Sequence, residues 1–302
     1  MDMTASATPR PDVAIVIPSY DRPRQLQTCL RHIAALEGGP WRTIVVDDGS
    51  PAPLAPVCEG AGPWATCLRQ PNAGPGVARN TGARAAEGAR WLLFTDDDCR
   101  PRPDWALRLL AGQDGVPLRL AGGRIDNALP DNVYSTASQS LSTYLYHYYQ
   151  SQGSDMRFFT TNNMCCLRDD FLRVGGFDPT FGIASEDRDL SLRWKDAGGT
   201  LVYLPDAVVD HAHDLTLGGF WRQHSNYGRG ARQLHLTMDG RGDPRPKVER
   251  AAFYAGMLGW PLRHSQRMRL YESFLIGLSQ VAMVSGYARA IRAERRAGRG
   301  RD

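Results

Sequence analysis

No C-x-x-C spacing relates the six cysteines of this sequence, Cys29, Cys58, Cys67, Cys99, Cys165 and Cys166. Neither a zinc cluster nor a secreted disulfide framework is therefore indicated, and reduced, mostly buried thiols are expected. The first twelve residues have no apolar run behind a basic patch, so they do not read as a signal peptide, and the cytoplasm is the expected compartment. Internal repeats and low-complexity tracts are missing. The fairly apolar stretch 271–291 contains Glu272 and Gln280, which makes it a poor bilayer span and a better packed or interfacial helix. The sequence also has neither the Walker phosphate loop nor the full dinucleotide fingerprint.

What is present is an ordinary globular composition. The 302 residues are 42% hydrophobic and 9% aromatic, enough for one large core or two modest ones. The net charge of +4 is unevenly spread: residues 241–302 carry 13 Lys and Arg against 5 Asp and Glu, a local +8. Such an end can meet an anionic membrane surface, whereas the plainer alternative is a solvated arginine-rich tail over 289–301. No nucleic-acid partner is expected.

Val13-Ala14-Ile15-Val16-Ile17 is unbroken and apolar, as suits a strand covered on both faces. Pro23, with Leu26, Leu30 and Ile33 at helical spacing and Gly38-Gly39 as a stop, predicts a helix next. Thr43-Ile44-Val45-Val46 and Trp91-Leu92-Leu93-Phe94 repeat the strand pattern, with a helical stretch opening at Gly74-Pro75-Gly76 between them. This alternation predicts an α/β protein with an open sheet, and ligands on such sheets bind beyond the carboxyl ends of the strands. A tyrosine-rich stretch, 134–149, reads as an aromatic helix face packed in a core. A helix is predicted from about Glu186 to Ala197, ended by Gly198-Gly199.

Each early strand ends in charged residues. Asp96-Asp97-Asp98 crowds carboxylates whose repulsion is costly without a cation, and Mg²⁺ or Mn²⁺ takes such oxygen ligands. The plainer alternative is a helix start capped by Asp98. Asp47-Asp48-Gly49-Ser50 offers an acceptor for a base or ribose, or an Asx turn. The loop 74–76 with Arg79 supplies backbone donors and a guanidinium suited to a diphosphate. Glu186 and Asp187 open the late helix, either as favourable first-turn acids or as a general base aimed at an acceptor hydroxyl. His211-Ala212-His213 follows an apolar run and offers an imidazole to a metal. Tyr227-Gly228-Arg229-Gly230 reads as a mobile loop.

In order, Val-Ile-Pro-Ser-Tyr-Asp-Arg, Val-Val-Asp-Asp-Gly-Ser, Gly-Val-Ala-Arg-Asn, Phe-Thr-Asp-Asp-Asp, Gly-Gly-Phe-Asp, Ser-Glu-Asp-Arg-Asp-Leu and His-x-His resemble the inverting family 2 glycosyltransferases of GT-A fold, over about residues 13–235. The resemblance implies a Rossmann-like, mixed and mostly parallel sheet flanked by helices. It implies residues 13–120 as the nucleotide-sugar half and 121–240 as the acceptor half, between a disordered 1–12 and a basic helical extension, 241–302. It also implies a nucleotide-diphospho-sugar donor, most often UDP-linked, and a divalent metal. By motif, Pro18, Tyr20 and Arg22 line the nucleoside pocket, Asp48 contacts the base, and Arg79 lies near the base or diphosphate. Asp96 and Asp98 match the family's Asp-x-Asp motif, Asp96 nearer the ribose and Asp98 nearer the metal. Asp97 departs from that motif and leaves open which carboxylate binds. Asp187 matches the catalytic base beside Glu186, and His211, with His213 as the alternative, matches the histidine near the metal. Asn162 and Asn163 are candidates on the acceptor side. The acceptor, whether glycan, lipid carrier, peptide or small metabolite, is not implied. A sugar nucleotidyltransferase would want a glycine-rich loop with lysine where this sequence has Pro18-Ser19-Tyr20-Asp21-Arg22. A catalytically degenerate scaffold for anionic polymers or membranes would leave the acidic strand ends unexplained.

Overall fold

The computed structural model describes residues 10–113, 116–151, 156–182, 184–244 and 249–299. Residues 1–9, and with them most of the expected disordered amino terminus, lie outside this set. Packing divides the chain into two compact units. The first comprises Met1–Asp126, Met156–Gly182 and Leu190–Ala212, and the second Asn127–Asp155, Ile183–Asp189 and His213–Asp302.

The first unit is a mixed eight-stranded sheet. Strand β1 (Arg10–Ser19) leads through helix α1 (Pro23–Ala34) to β2 (Trp41–Asp47), then α2 (Ala55–Ala61), β3 (Ala65–Arg69), α3 (Pro75–Ala85) and β4 (Trp91–Phe94). After these come β5 (Cys99–Pro101), α4 (Trp105–Ala111) and β6 (Arg119–Asn127). The chain returns to the unit with β7 (Met164–Leu167) and α6 (Arg168–Arg173), following α5 (Val133–Ser151) in the second unit. Then come α7 (Glu186–Asp196), whose first four residues belong to the second unit, and β8 (Thr200–His211). The strand order is β3-β2-β1-β4-β7-β6-β8-β5. β1, β2, β3 and β4 pair in parallel, whereas β7 runs antiparallel to β4 and β6, and β5 antiparallel to β8.

Val13 through Ile17 are fully buried because both faces of β1 are covered. Val13, Ile15 and Ile17 join Leu26, Cys29, Leu30 and Ile33 of α1 in one core. Burying each such aliphatic side chain contributes roughly 1.5–3 kcal/mol. On the alternate face α3 approaches so closely that a Cβ on Gly82 would lie 2.4 Å from Val16 Cγ1. All six cysteines are free, five of them buried and Cys67 half-buried, as their spacing implied.

The second unit is helical, built from α5 with α8 (Leu217–Arg241), α9 (Ala251–His264) and α10 (Arg269–Arg299). The tyrosine-rich α5 is core-packed as expected. Tyr144 sits in a cluster with Phe253, Met257 and Ile276, and its hydroxyl donates to the Phe253 carbonyl at 2.7 Å. One expectation needs correction. Tyr227 to Gly230 are not a loop but lie inside α8, because the glycines there admit neighbouring backbone. The arginines after Arg289 lie on α10, which continues to Arg299, and Arg292, Arg295 and Arg296 are exposed, in keeping with the expected basic helical extension. Among the described residues α10 is the one helix long and apolar enough to cross a membrane, judged by length and composition alone, and 28% of that stretch is buried.

Candidate active site

Parallel pairing brings the carboxyl ends of β1, β2 and β4 to one edge of the sheet, with Ser19 level with Asp47 and Val16 with Phe94. Backbone bonds extend this alignment into the loops: Asp48 N–H donates to Ser19 O at 2.9 Å and Thr95 N–H to Val16 O at 3.3 Å. Asp21 adopts a left-handed backbone, φ +54°, and its N–H donates to Ser50 Oγ at 2.9 Å. Pro18 is buried within β1, while the Tyr20 ring is exposed.

The two aspartates after β2 divide their work. Asp47 closes the turn, accepting from Ser50 and Leu54 N–H and pairing with Arg69 at 3.0 Å. Its burial favours the neutral form, yet the hydrogen bonds from Ser50, with Leu54 and Arg69, win and hold the carboxyl below its ordinary value. Asp47 is thus the Asx turn, and Asp48 faces the next loop. Asp48 accepts from Gln70 Nε2 at 2.7 Å, Ala73 N–H at 3.0 Å and Gly74 N–H at 2.8 Å. Gly49, at φ +79°, lets that loop close in, for a Cβ there would lie 2.7 Å from Asn72 N.

The triplet after β4 is held from three directions. Arg79 of α3 donates to Asp96 Oδ1 at 2.5 Å and lies 5.7 Å over the Phe177 ring. Asn80, beside it, exchanges two bonds with the Phe177 backbone, at 2.7 and 2.8 Å, so the Gly-Gly-Phe-Asp turn fixes the helix that carries Arg79. Asp97, 4% exposed, accepts from Ser19 Oγ at 2.6 Å and from Arg22 Nη1 at 3.2 Å. Burial first, then the charge of Asp98, pushes its carboxyl up to about 7 against the pull of Arg22 and Ser19.

Asp98 meets Arg22 Nη1 at 3.0 Å and His211 Nε2 at 3.2 Å. Its helix-cap alternative fails, because Cys99–Pro101 form β5, which pairs with β8 and sets Cys99 opposite His211. Ala212 N–H also donates to Asp98 O at 2.8 Å. Burial lowers the basicity of His211, but the charge and hydrogen bond of Asp98 outweigh it, and the imidazole is raised above its ordinary value. Ligand atoms of Asp98, Cys99 and His211 lie within 4.8 Å of one another. Burial, with Asp98 and Asp96 nearby, keeps the Cys99 thiol protonated, so the usable donors are a carboxylate and an imidazole. That pair suits Mn²⁺ or Mg²⁺ better than a soft metal.

Asn163 is committed to the core, donating to Arg124 O and Ala207 O and accepting from Trp105 Nε1. Asn162 Oδ1 is buried with no hydrogen-bond partner among the described residues. Glu186, buried, and Asp187, half-buried, open α7 in the second unit. The preceding Ser185 holds φ +76°, a strain on the order of 1–3 kcal/mol. That turn lies against α8, where a Cβ on Gly230 would be 2.5 Å from Ala184 O. His213 belongs to the second unit too, its carbonyl accepting from Ser135 Oγ. The motifs by themselves give no role to Ser19, Asn80 or Phe177, although Arg-Asn and Gly-Gly-Phe-Asp are the signal that pairs the last two.

His224 of α8 is 2% exposed, ringed by Phe220 and Tyr227, and its Nε2 has no partner among the described residues. Burial, helped by His213, pulls it down to about 4. A folded value below the unfolded one means that its contribution is complete above about pH 6.5 and is lost as pH falls toward 4, by about 3 kcal/mol in all. His224→Leu is expected to flatten that acid limb; urea unfolding of both proteins across this window measures it, and parallel curves refute the assignment.

A mixed sheet with acidic loops at the carboxyl edge of its parallel strands, flanked by helices, is the GT-A architecture. Residues 14–174 match the model of the family described as Glycosyl transferase family 2, and the chain belongs to that family. It is 32% identical over 241 residues to a Mycobacterium tuberculosis protein named pre-mycofactocin glycosyltransferase, covering 76% of this chain and 50% of that one. It is 26% identical to glycosyltransferase AglE of Haloferax volcanii, covering 75% of each. The chain thus spans about half the length of the mycobacterial relative. In fold it is similar to mannosyltransferase PcManGT from Pyrobaculum calidifontis, solved with GDP-Man and Mn²⁺, at TM-score 0.58 and 16% identity over 96% of this chain and 82% of that one. A second neighbour is GalNAc-T7 with UDP, GalNAc and Mn²⁺, at TM-score 0.51 and 14% identity over 84% and 56%.

Proposed function

We propose that the chain transfers a sugar from a nucleotide-diphospho-sugar, UDP-linked as the family resemblance implies, to an acceptor hydroxyl with inversion at the anomeric carbon. The observation that carries this reading is the convergence of Arg22 and Asp98, beyond β1 and β4, with His211 at the end of β8, beside the Arg79–Asp96 pair. Residues 13–120 hold the donor and 121–240 the acceptor, with 241–302 as a basic extension.

Pro18, Tyr20 and Arg22 border the nucleoside. Asp48 spends three of its roughly four acceptor positions on Gln70, Ala73 and Gly74, which leaves one for a base N–H. Asp96 serves the ribose and Arg79 the diphosphate. A divalent cation, which Asp98 and His211 would hold with Asp96 as a further ligand, supplies positive charge for the departing diphosphate when bound. Asp97 sits between; burial raises its carboxyl most and the charge of Asp98 adds to it, and that second effect is the kind a cation relieves. Asp187 accepts the proton of the acceptor hydroxyl as its oxygen attacks the face opposite the leaving group, so no covalent intermediate forms. Asn162, with its unpaired Oδ1, is a better acceptor-side donor or acceptor of hydrogen bonds than the committed Asn163.

Calorimetric titration with UDP, GDP and dTDP, each with and without Mn²⁺, tests the reading. Tight binding of one nucleotide that needs the metal is expected, and no binding of any favours the degenerate scaffold. Asp98→Ala is expected to weaken metal-dependent binding by more than about tenfold; unchanged affinity moves the metal to Asp96 or Asp97.

A further inference from the structure

The outer face of α9 and α10 carries apolar side chains that sugar transfer does not use. On α9, Tyr254, Leu258 and Leu262 recur every fourth residue and are exposed. On α10, Leu270, Phe274, Val281 and Val284 share one face at helical spacing, each between 59% and 78% exposed, and Met268 precedes them at 60%. The two rows adjoin, since a Cβ on Gly277 of α10 would lie 3.7 Å from Leu258 Cδ2. The other sides of the same helices are spent internally, with Phe253, Met257 and Ile276 buried around Tyr144. Soluble monomers rarely expose a contiguous apolar surface of this extent.

The charge that α9 and α10 contribute along the face is mostly positive. Between residues 251 and 293 the sequence holds a single carboxylate, Glu272. It is buried, 2% exposed, and accepts from Ser265 and Ser140 hydroxyls. Exposed Arg263, Arg267 and Arg269 flank Leu262, Met268 and Leu270 where α9 turns into α10. Arg267 pairs at 2.9 Å with exposed Asp131, a contact that water leaves weak. A second copy of the chain on this face would bring arginine against arginine.

We propose that the α9–α10 face docks peripherally on an anionic lipid surface, with its apolar row at the acyl boundary and its arginines among the headgroup phosphates. α10 lies in the plane of the surface and does not cross it, because Leu275, Ile276, Ala282 and Glu272 are already buried in protein. The inference stands apart from the sugar-transfer reading, and its test needs no donor or acceptor.

Flotation of the full chain with vesicles of phosphatidylcholine, alone or with phosphatidylglycerol, reads it out. Binding to the phosphatidylglycerol vesicles that declines with salt is expected. Phe274→Glu with Leu270→Glu is expected to abolish it. Arg263→Ser, Arg267→Ser and Arg269→Ser together are expected to weaken it on the order of a hundredfold, at about fivefold per arginine. Unchanged thermal unfolding of these surface variants excludes misfolding as the cause. Failure to bind at low salt, or equal binding by all variants, overturns the proposal. So does a dimer in sedimentation that Phe274→Glu breaks while vesicles stay unbound, and so does retention in vesicles through alkaline extraction, which would make α10 a span.

Discussion

Asp187→Asn is expected to lower kcat between about 10² and 10⁴-fold while the affinity for the donor nucleotide changes little. The amide keeps the size of the carboxylate and loses its ability to take a proton. The local structure favours this residue over its neighbours in α7. Asp189 is fully buried and bound to Arg241 at 2.7 Å, and Glu186 is buried, whereas Asp187 is half-buried at the helix start. Its Oδ1 accepts from Arg188 N–H at 2.8 Å, which orients the group without neutralising it. Single-turnover transfer with the donor identified by titration, alongside calorimetry of the variant, measures both quantities. Transfer at the wild-type rate would remove Asp187 as the base, and collapse of donor binding would make it a binding residue.

The second large effect concerns α8 and α10. A Cβ on Gly228 would lie 1.8 Å from the Met283 carbonyl oxygen and 2.9 Å from Tyr287 N, and one on Gly286 would lie 1.9 Å from Ser225 O. These are backbone atoms, which cannot swing aside as a side-chain end can, so each glycine is where the other helix passes. Gly228→Ala is expected to cost about 3 kcal/mol or more, a fall in Tm on the order of 6–12 °C. A Cβ on Gly240, in the same helix, would meet nothing within 4 Å, and Gly240→Ala serves as the control. There the change is expected to be neutral or to stabilise by up to about 1 kcal/mol through helix propensity. Calorimetric melting of the two variants decides the matter, and equal shifts would show that the close approach is not what the glycine serves.

Much of the first unit was legible because its signals are local. The apolar runs of β1, β2 and β4 leave only one way to bury both faces, and the charged residues that end them follow from the same runs. The family's motifs reinforced that reading in order and spacing. β7 was not foreseen, since Met164-Cys165-Cys166-Leu167 has no alternation and, unlike the equally short Trp91–Phe94, no aromatic or β-branched residue to favour a strand. Tyr227 to Gly230 misled for a related reason: two glycines within four residues signal a loop locally, yet in α8 they answer to Met283 and Ala184 far along the chain.

By itself the sequence determined the α/β class, the strand ends that carry carboxylates, the helix that opens at Glu186 and the basic character of the last sixty residues. Periodicity, turn chemistry and charge are properties of short segments and survive without a fold. Only the tertiary structure decided that Asp47 makes the turn while Asp48 faces the loop before α3, that His211 is the histidine at Asp98, and that Asn163 is spent on the core. Each of those outcomes depends on hydrogen bonds between residues distant in sequence, and such partners are chosen by how sheet and helices pack.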